Sequence, residues 1–369
     1  MKRNDDIQCL RGLAILLVML QHFRGRLPTP RAYSDLFDHV AFWPGVDIFF
    51  AISGFLIYHS FGHDLANNRP MQAARIFWRR RIYRLAPAAL LWVTLSVPLA
   101  EFAIHVANAS ASRAALGAIA AFAGISNVFW ASCLPGHVTV CGNPDFNSVT
   151  WSLSLEWQLY GALSIGMMCF GRRRAVALLL AMGIGMSFLP APLFSLPWSF
   201  RVLPFALGAS LAHLSVGRSL AIPSPPINAL LCLGGAMLAV VAPVAFADPL
   251  VIPLIALGAA CCLLSALHGT SYSPLTISAP LRWIGERSYS IYLCHLPAYL
   301  LIRELMARSI GLEATAASVA LAVSTAVVLI ATFGHLSYRY IEIPLTRLGH
   351  SKAGAARAGL RAEAPGSTT

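Results

Sequence analysis

Arg11 and His22 stand eleven residues apart in LRGLAILLVMLQHF. In a helix, at about 100° per residue, that spacing returns them to one face, roughly 16 Å apart along the axis. A histidine ending an apolar helix is either an ordinary polar end residue or a proton acceptor, and an arginine on the same face weighs towards the second. Asp47 opens GVDIFFAISGFLIY, a stretch entering from the side where His22 ends. An acid there either steadies a neighbouring imidazole or complements a helix dipole; the residues leave both open. Ser53 and Gly54, in the same stretch, suit close helix approach. Glu156, in WSLSLEWQLYGAL, lies about five residues, roughly 7–8 Å, beneath that same surface. A buried acid needs a partner. A catalytic or acceptor-binding role for Glu156 would bring in Trp151, Ser152 and Tyr160 as supporting groups.

Two further stretches carry chemistry. RIFWRRRIYRLAP gathers Arg80, Arg81 and Arg84 ahead of an apolar run. Such a cluster either sets topology and binds anionic lipid or holds the phosphates of a cytosolic donor. Arg81 and Arg84 share a helical face. WIGERSYSIYLCHLPAYL places Tyr289, Tyr292 and His295 within two turns. Tyrosines at an interface are routine, whereas a histidine in mid-span is not. Glu342, in YRYIEIPLTRL, is expected to pair with a nearby arginine. The eight cysteines show no metal-ligand spacing, and no metal is expected.

The elements that must position these groups follow from composition. Of 369 residues 57% are hydrophobic and 11% charged, with a mean hydropathy of +0.67. A soluble domain carries about 25% charged residues, so a soluble globule is excluded, as is disorder. The net charge of +12 has no polar face on which to gather for nucleic acid. An all-α membrane bundle is left. Candidate spans fall at 8–23, 44–62, 83–100, 152–170, 174–190, 199–215, 227–246, 250–268, 288–303 and 314–337, each near the length a bilayer requires. The first is read as a retained span, because Gln21-His22-Phe23-Arg24 offers no cleavage site.

An eleventh run, 114–131, is interrupted by Gly124, Ser126 and Asn127. If it does not cross, 20 of the 27 basic residues fall on the inner side with both termini, as the positive-inside rule asks. Arg201 then counts among the outer charges, and 101–150 becomes an external segment with 114–131 re-entrant or interfacial. Cys133 and Cys141 in that segment are either two free thiols or, facing an oxidising compartment, a disulfide. Residues 351–369 read as a flexible, solvated cytoplasmic tail after a membrane domain of residues 1–350. No internal repeat, Walker lysine motif or dinucleotide fingerprint occurs.

Six stretches, LRGLAILLVMLQH, GVDIFFAISGFLI, RRRIYRLAP, WSLSLEWQLY, RSYSIYLCH and YRYIEIP, together resemble the acyltransferase-3 family of integral membrane acyltransferases. They occur in family order across residues 10–344. The resemblance implies a multi-pass protein of a bacterial inner membrane that uses acyl-CoA, most simply acetyl-CoA, as a donor substrate rather than a bound cofactor. It implies a saccharide hydroxyl as acceptor, with membrane lipids around the bundle. Arg11 and His22 match the family's paired basic residue and histidine, with His22 as catalytic residue; Arg81 and Arg84 match its paired arginines, and Glu156 its WSLSxE acid. Trp157 departs from a frequent second acid, which puts a two-carboxylate role in doubt.

The expected mechanism has His22 as base, Asp47 or Glu156 orienting its ring, and Arg11, Arg80, Arg81 and Arg84 holding the donor. An acyl-His22 intermediate is the two-step variant. Ser53, Trp151, Ser152, Tyr160, Tyr289, Tyr292 and His295 would support the acceptor side. The rival is a secondary transporter, which also uses intramembrane charge. The residues specify neither an oligomer nor a nucleic-acid partner.

Overall fold

The computed structural model describes residues 4–133, 141–217, 224–269, 272 and 277–362. Among them every regular element is helical. The chain runs through α1 (Asp5–Phe23), α2 (Gly45–Asn67), α3 (Pro70–Phe102), α4 (Ala111–Phe122), α5 (Ser126–Cys133), α6 (Thr150–Phe170) and α7 (Arg172–Met186). It continues through α8 (Leu203–Leu214), α9 (Pro225–Ala245), α10 (Val251–Leu267), α11 (Ser278–Glu286), α12 (Ser288–Ser309), α13 (Ala316–Ser337) and α14 (Ile343–Ala362). A π-helical turn, Tyr338–Glu342, joins the last two into one rod.

Each expected span overlaps a helix, although 199–215 is broken at 200–202 and carries only Leu203–Leu214 beyond it. Five helices are long and apolar enough to cross a membrane: Asp5–Phe23, Gly45–Asn67, Pro70–Phe102, Pro225–Ala245 and Ala316–Ala353. The protein is therefore a multi-pass membrane protein. Its surface fits, with Leu230, Leu233, Val327 and Val328 exposed on α9 and α13. The first helix starts on Asn4, whose side chain accepts from the backbone N–H groups of Asp6 and Ile7, an N-cap that satisfies otherwise orphaned donors. Gly171, at φ +80°, makes the tight turn from α6 to α7 that a side chain would resist.

The interruption expected in run 114–131 falls at Gly124: α4 ends at Phe122, Gly124 takes φ +70°, and α5 restarts at Ser126. At the C-terminal end the last helix runs past residue 350. The helix continues to Ala362, and Lys352, midway along it, donates from Nζ to Tyr83 OH on α3 at 3.0 Å. Lys2, Arg3, Arg218 and 363–369 lie outside the described residues.

Helices dock through glycines. A Cβ on Gly54 would meet the Phe205 carbonyl, and one on Gly208 the Ala51 carbonyl, so α2 and α8 touch backbone to backbone. Gly12 and Gly285 do the same for α1 and α11, against Leu281 and Gln8. Cys133 and Cys141 are disulfide-bonded, and Cys9, Cys169, Cys232, Cys261, Cys262 and Cys294 are free.

Replacing Gly208 with Leu forces the α2–α8 contact apart, and overpacking of this kind destabilises by about 1–3 kcal/mol. The midpoint of thermal unfolding in detergent is expected to fall; an unchanged midpoint contradicts the contact. Maleimide is expected to label six cysteines of the denatured, unreduced chain and eight after reduction.

Candidate active site

Helices α1, α2, α3, α6 and α12 surround a partly open cavity with about 740 Å³ of empty space. Arg11, Arg81 and Arg84 line it, Phe49, Phe50, Leu56 and Leu85 give it apolar wall, and Ser53, Ser152, Glu156, Tyr160, Ser288, Tyr289 and Tyr292 supply polar groups. Arg11 donates through Nε and a terminal nitrogen to Ser288 Oγ at 3.2 and 2.9 Å. Arg81 lies over the rings of Phe77 and Tyr160, 5.6 and 5.7 Å from their centroids, a cation–π arrangement. Arg84 Nε stands 4.0 Å from Glu342 Oε1, while Ser290 donates to the other carboxylate oxygen at 3.1 Å. Arg80, one residue round the helix from Arg81, turns outward and pairs with the buried Asp64.

Two wider cavities border these arginines. One, of about 1250 Å³, is lined by Asn4, Gln8, His59, His63, Arg80, Arg81 and Arg84. The other, of about 830 Å³, is lined by Arg11, Arg84, Glu286, Glu342, Arg347 and His350. Arg84 belongs to all three.

His22, Asp47 and Glu156 do not converge. Glu156 faces the arginine cavity, where its Oε1 accepts from Ser53 and from Tyr160 OH at 2.5 Å. His22 lies at the opposite end of α1 from Arg11 and meets another imidazole rather than an acid: its Nδ1 is 2.8 Å from His295 Nε2. His295 is fully buried, with its Nδ1 2.7 Å from the Tyr292 carbonyl. The cavity and the imidazole pair meet at Tyr292, whose ring lines the cavity while its carbonyl holds His295. Tyr292 OH donates to the Val149 carbonyl at 2.8 Å and lies 2.6 Å from Ser152 Oγ. Tyr289 OH donates to the Leu85 carbonyl at 2.6 Å. Trp157, standing where a second acid was considered, stacks on Trp78 at 5.6 Å.

Asp47 is fully buried against Arg201, which the charge count assigns to the outer side. Arg201 is 2% exposed, and one terminal nitrogen lies 3.4 Å from Asp47 Oδ2. Its guanidinium centre sits 4.4, 5.0 and 4.2 Å from the rings of Trp43, Trp151 and Trp198. Neither side chain makes a hydrogen bond among the described residues, so charge and ring faces hold the pair. The available signal was a lone arginine in PWSFRVLPFALG, flanked by aromatics and apolar residues. Arg26 was also passed over: it pairs with Asp145 and donates to the His22 carbonyl at 2.9 Å, tying the segment before α6 to the end of α1.

Residues 4–334 match a family model described as an acyltransferase domain. The chain is 30% identical over 327 residues to a protein of Komagataeibacter xylinus named as a membrane-bound transacylase, covering 82% of this chain and 75% of that one. It is 28% identical over 342 residues to a peptidoglycan O-acetyltransferase of Listeria monocytogenes, covering 83% of this chain and 51% of the relative. The chain thus spans about half the length of the Listeria protein. No solved structure matches.

Asp47→Asn leaves the Arg201 charge buried and uncompensated, a change that costs about 3–5 kcal/mol. The unfolding midpoint is expected to fall steeply, and the double variant Asp47→Leu/Arg201→Leu to regain part of the loss. Equal midpoints for Asp47→Asn and the parent contradict the pairing.

Proposed function

The chain belongs to the acyltransferase family whose model it matches, and from that premise we propose that it moves an acyl group, most simply acetyl, from cytosolic acyl-CoA to a hydroxyl of a cell-surface or lipid-linked saccharide. The observation that carries this reading is the 740 Å³ cavity with arginines on its wall. Three arginines against Glu156 on the wall and Glu342 beside Arg84 still leave it positive, which suits a phosphorylated donor. Apolar side chains between them and Tyr292 suit the donor's uncharged arm. The names of the Listeria and Komagataeibacter relatives support acyl transfer, and the former supports a saccharide acceptor.

In this reading the bundle has ten spans with both termini cytoplasmic, in a bacterial inner membrane. The excess of basic residues on that side supports it. So does the Cys133–Cys141 disulfide, a bond of oxidising compartments, in the segment assigned outside. Arg11, Arg81 and Arg84 hold the donor in the cavity, Arg80 lines the neighbouring 1250 Å³ cavity, and Ser53, Glu156 and Tyr160 shape the wall. Tyr292, bonded to Ser152, joins this wall to the histidines, and Trp151 and Tyr289 support the acceptor side in this reading.

His22 acts as the base. It takes the proton of the acceptor hydroxyl as that oxygen attacks the thioester carbonyl; the new C–O bond forms, the C–S bond breaks, and the departing CoA thiolate takes the proton back. A positioned base contributes about 10²–10⁴-fold. Acyl transfer is measured as CoA thiol released in proteoliposomes supplied with acetyl-CoA and a saccharide acceptor. His22→Ala is expected to lose transfer by that factor while inserting normally, and Arg81→Ala to raise the KM for the donor. Full transfer by His22→Ala overturns the reading.

A further inference from the structure

We propose that His295 is a positioning residue that sets the tautomer of His22, so that the Nε2 lone pair of His22 is the one presented to the acceptor hydroxyl; this rests on His22 being the base. The proposal follows from which atoms are able to donate. His295 Nδ1 lies 2.7 Å from the Tyr292 carbonyl. A carbonyl oxygen only accepts, so Nδ1 carries the hydrogen. A neutral imidazole bears one N–H, which leaves His295 Nε2 as an acceptor. That atom lies 2.8 Å from His22 Nδ1, so His22 Nδ1 is the donor in its turn and His22 Nε2 keeps its lone pair. Two contacts thereby dictate the protonation of both rings, starting from one backbone carbonyl.

The ring geometry agrees. The centroids are 5.0 Å apart with 23° between the planes. That separation is about the nitrogen–nitrogen distance plus a ring radius at each end, so the rings meet edge to edge and the N–H lies along the acceptor's lone pair. The surroundings hold the register. Tyr299, one turn beyond His295, donates to the Met19 carbonyl at 3.1 Å, bracing α12 against α1 beside the pair. Arg26 donates to the carbonyl of His22 itself at 2.9 Å. His295 is fully buried, whereas His22 is only partly buried, as a group that receives substrate must be.

The test uses the full chain in nanodiscs, labelled with ¹⁵N-histidine. The His22 signals are those lost in His22→Ala. Wild type is expected to show His22 protonated at Nδ1 and bare at Nε2; the opposite tautomer overturns the proposal. Kinetics supply the second arm. In His295→Gln the carboxamide oxygen reaches the position of Nε2 and still accepts from His22, whereas the shorter Asn does not. His295→Asn is expected to lower kcat by on the order of 10²-fold with the KM for acetyl-CoA unchanged, a wrong tautomer in a serine-protease triad costing about 10⁴. His295→Gln is expected to restore most of the rate. A wild-type kcat in His295→Asn, or a loss in His295→Gln equal to that in Asn with the tautomer intact, overturns it. Because the tautomer is read without turnover, failure of His22 as base appears separately, as transfer surviving in His22→Ala.

Discussion

A charge taken out of water into an apolar bundle costs several kcal/mol unless another group meets it. The ionic groups inside the bundle are met in different ways, and the differences govern how much charge each keeps free. Arg201 has a carboxylate at 3.4 Å and three indole faces; it is surrounded and has little left to offer a ligand. Arg11 has a serine hydroxyl, and Arg81 has two ring faces, so both keep unspent positive charge towards the cavity. Glu156, the acid on the same wall, accepts from hydroxyls rather than cancelling an arginine directly. The cavity is therefore electropositive by arrangement as well as by count, and in a low-dielectric site that field is felt strongly.

The same constraint governs how tightly the helices must meet. With lipid outside, burial of apolar surface does little to hold helices together, so close packing does the work. The contacts of Gly12 with Leu281 and of Gly285 with Gln8 bring α1 and α11 backbone to backbone. Since α11 leads through Arg287 directly into α12, this docking also sets where Ser288 and His295 fall against α1. Ser288 then reaches Arg11 at one end, and His295 reaches His22 at the other. One glycine-mediated seam positions both halves of the site, and neither half contributes to it.

Much of this was legible in the residues. The apolar runs located the helices because span length and hydropathy are local properties. The eleven-residue spacing put Arg11 and His22 on one helix face, and the i,i+3 pair Arg81 and Arg84 is turned to one cavity. What could not be read was pairing between distant segments. Depth along a helix does not specify azimuth, so placing His22, Asp47 and Glu156 near one surface did not place them near one another. Arg201 shows the same limit: counting charges assigns it a side of the membrane but not its contacts, and only tertiary contacts with Trp43 and Trp151, more than forty residues away, reveal it as buried.

Meeting His22 with an imidazole rather than an acid has a chemical consequence. A carboxylate partner both orients a histidine and supplies a counter-charge to the imidazolium that forms. A neutral imidazole orients equally well and supplies only a dipole. In the proposed reaction, with His22 as base, the positive charge forming on its ring is met by a group that arrives with the substrates. In acyl transfer from a thioester that partner exists: the oxyanion and then the departing thiolate carry the opposite charge at the same moment. In the proposed reaction such a pairing also asks the apolar bundle to bury no acid beside His22.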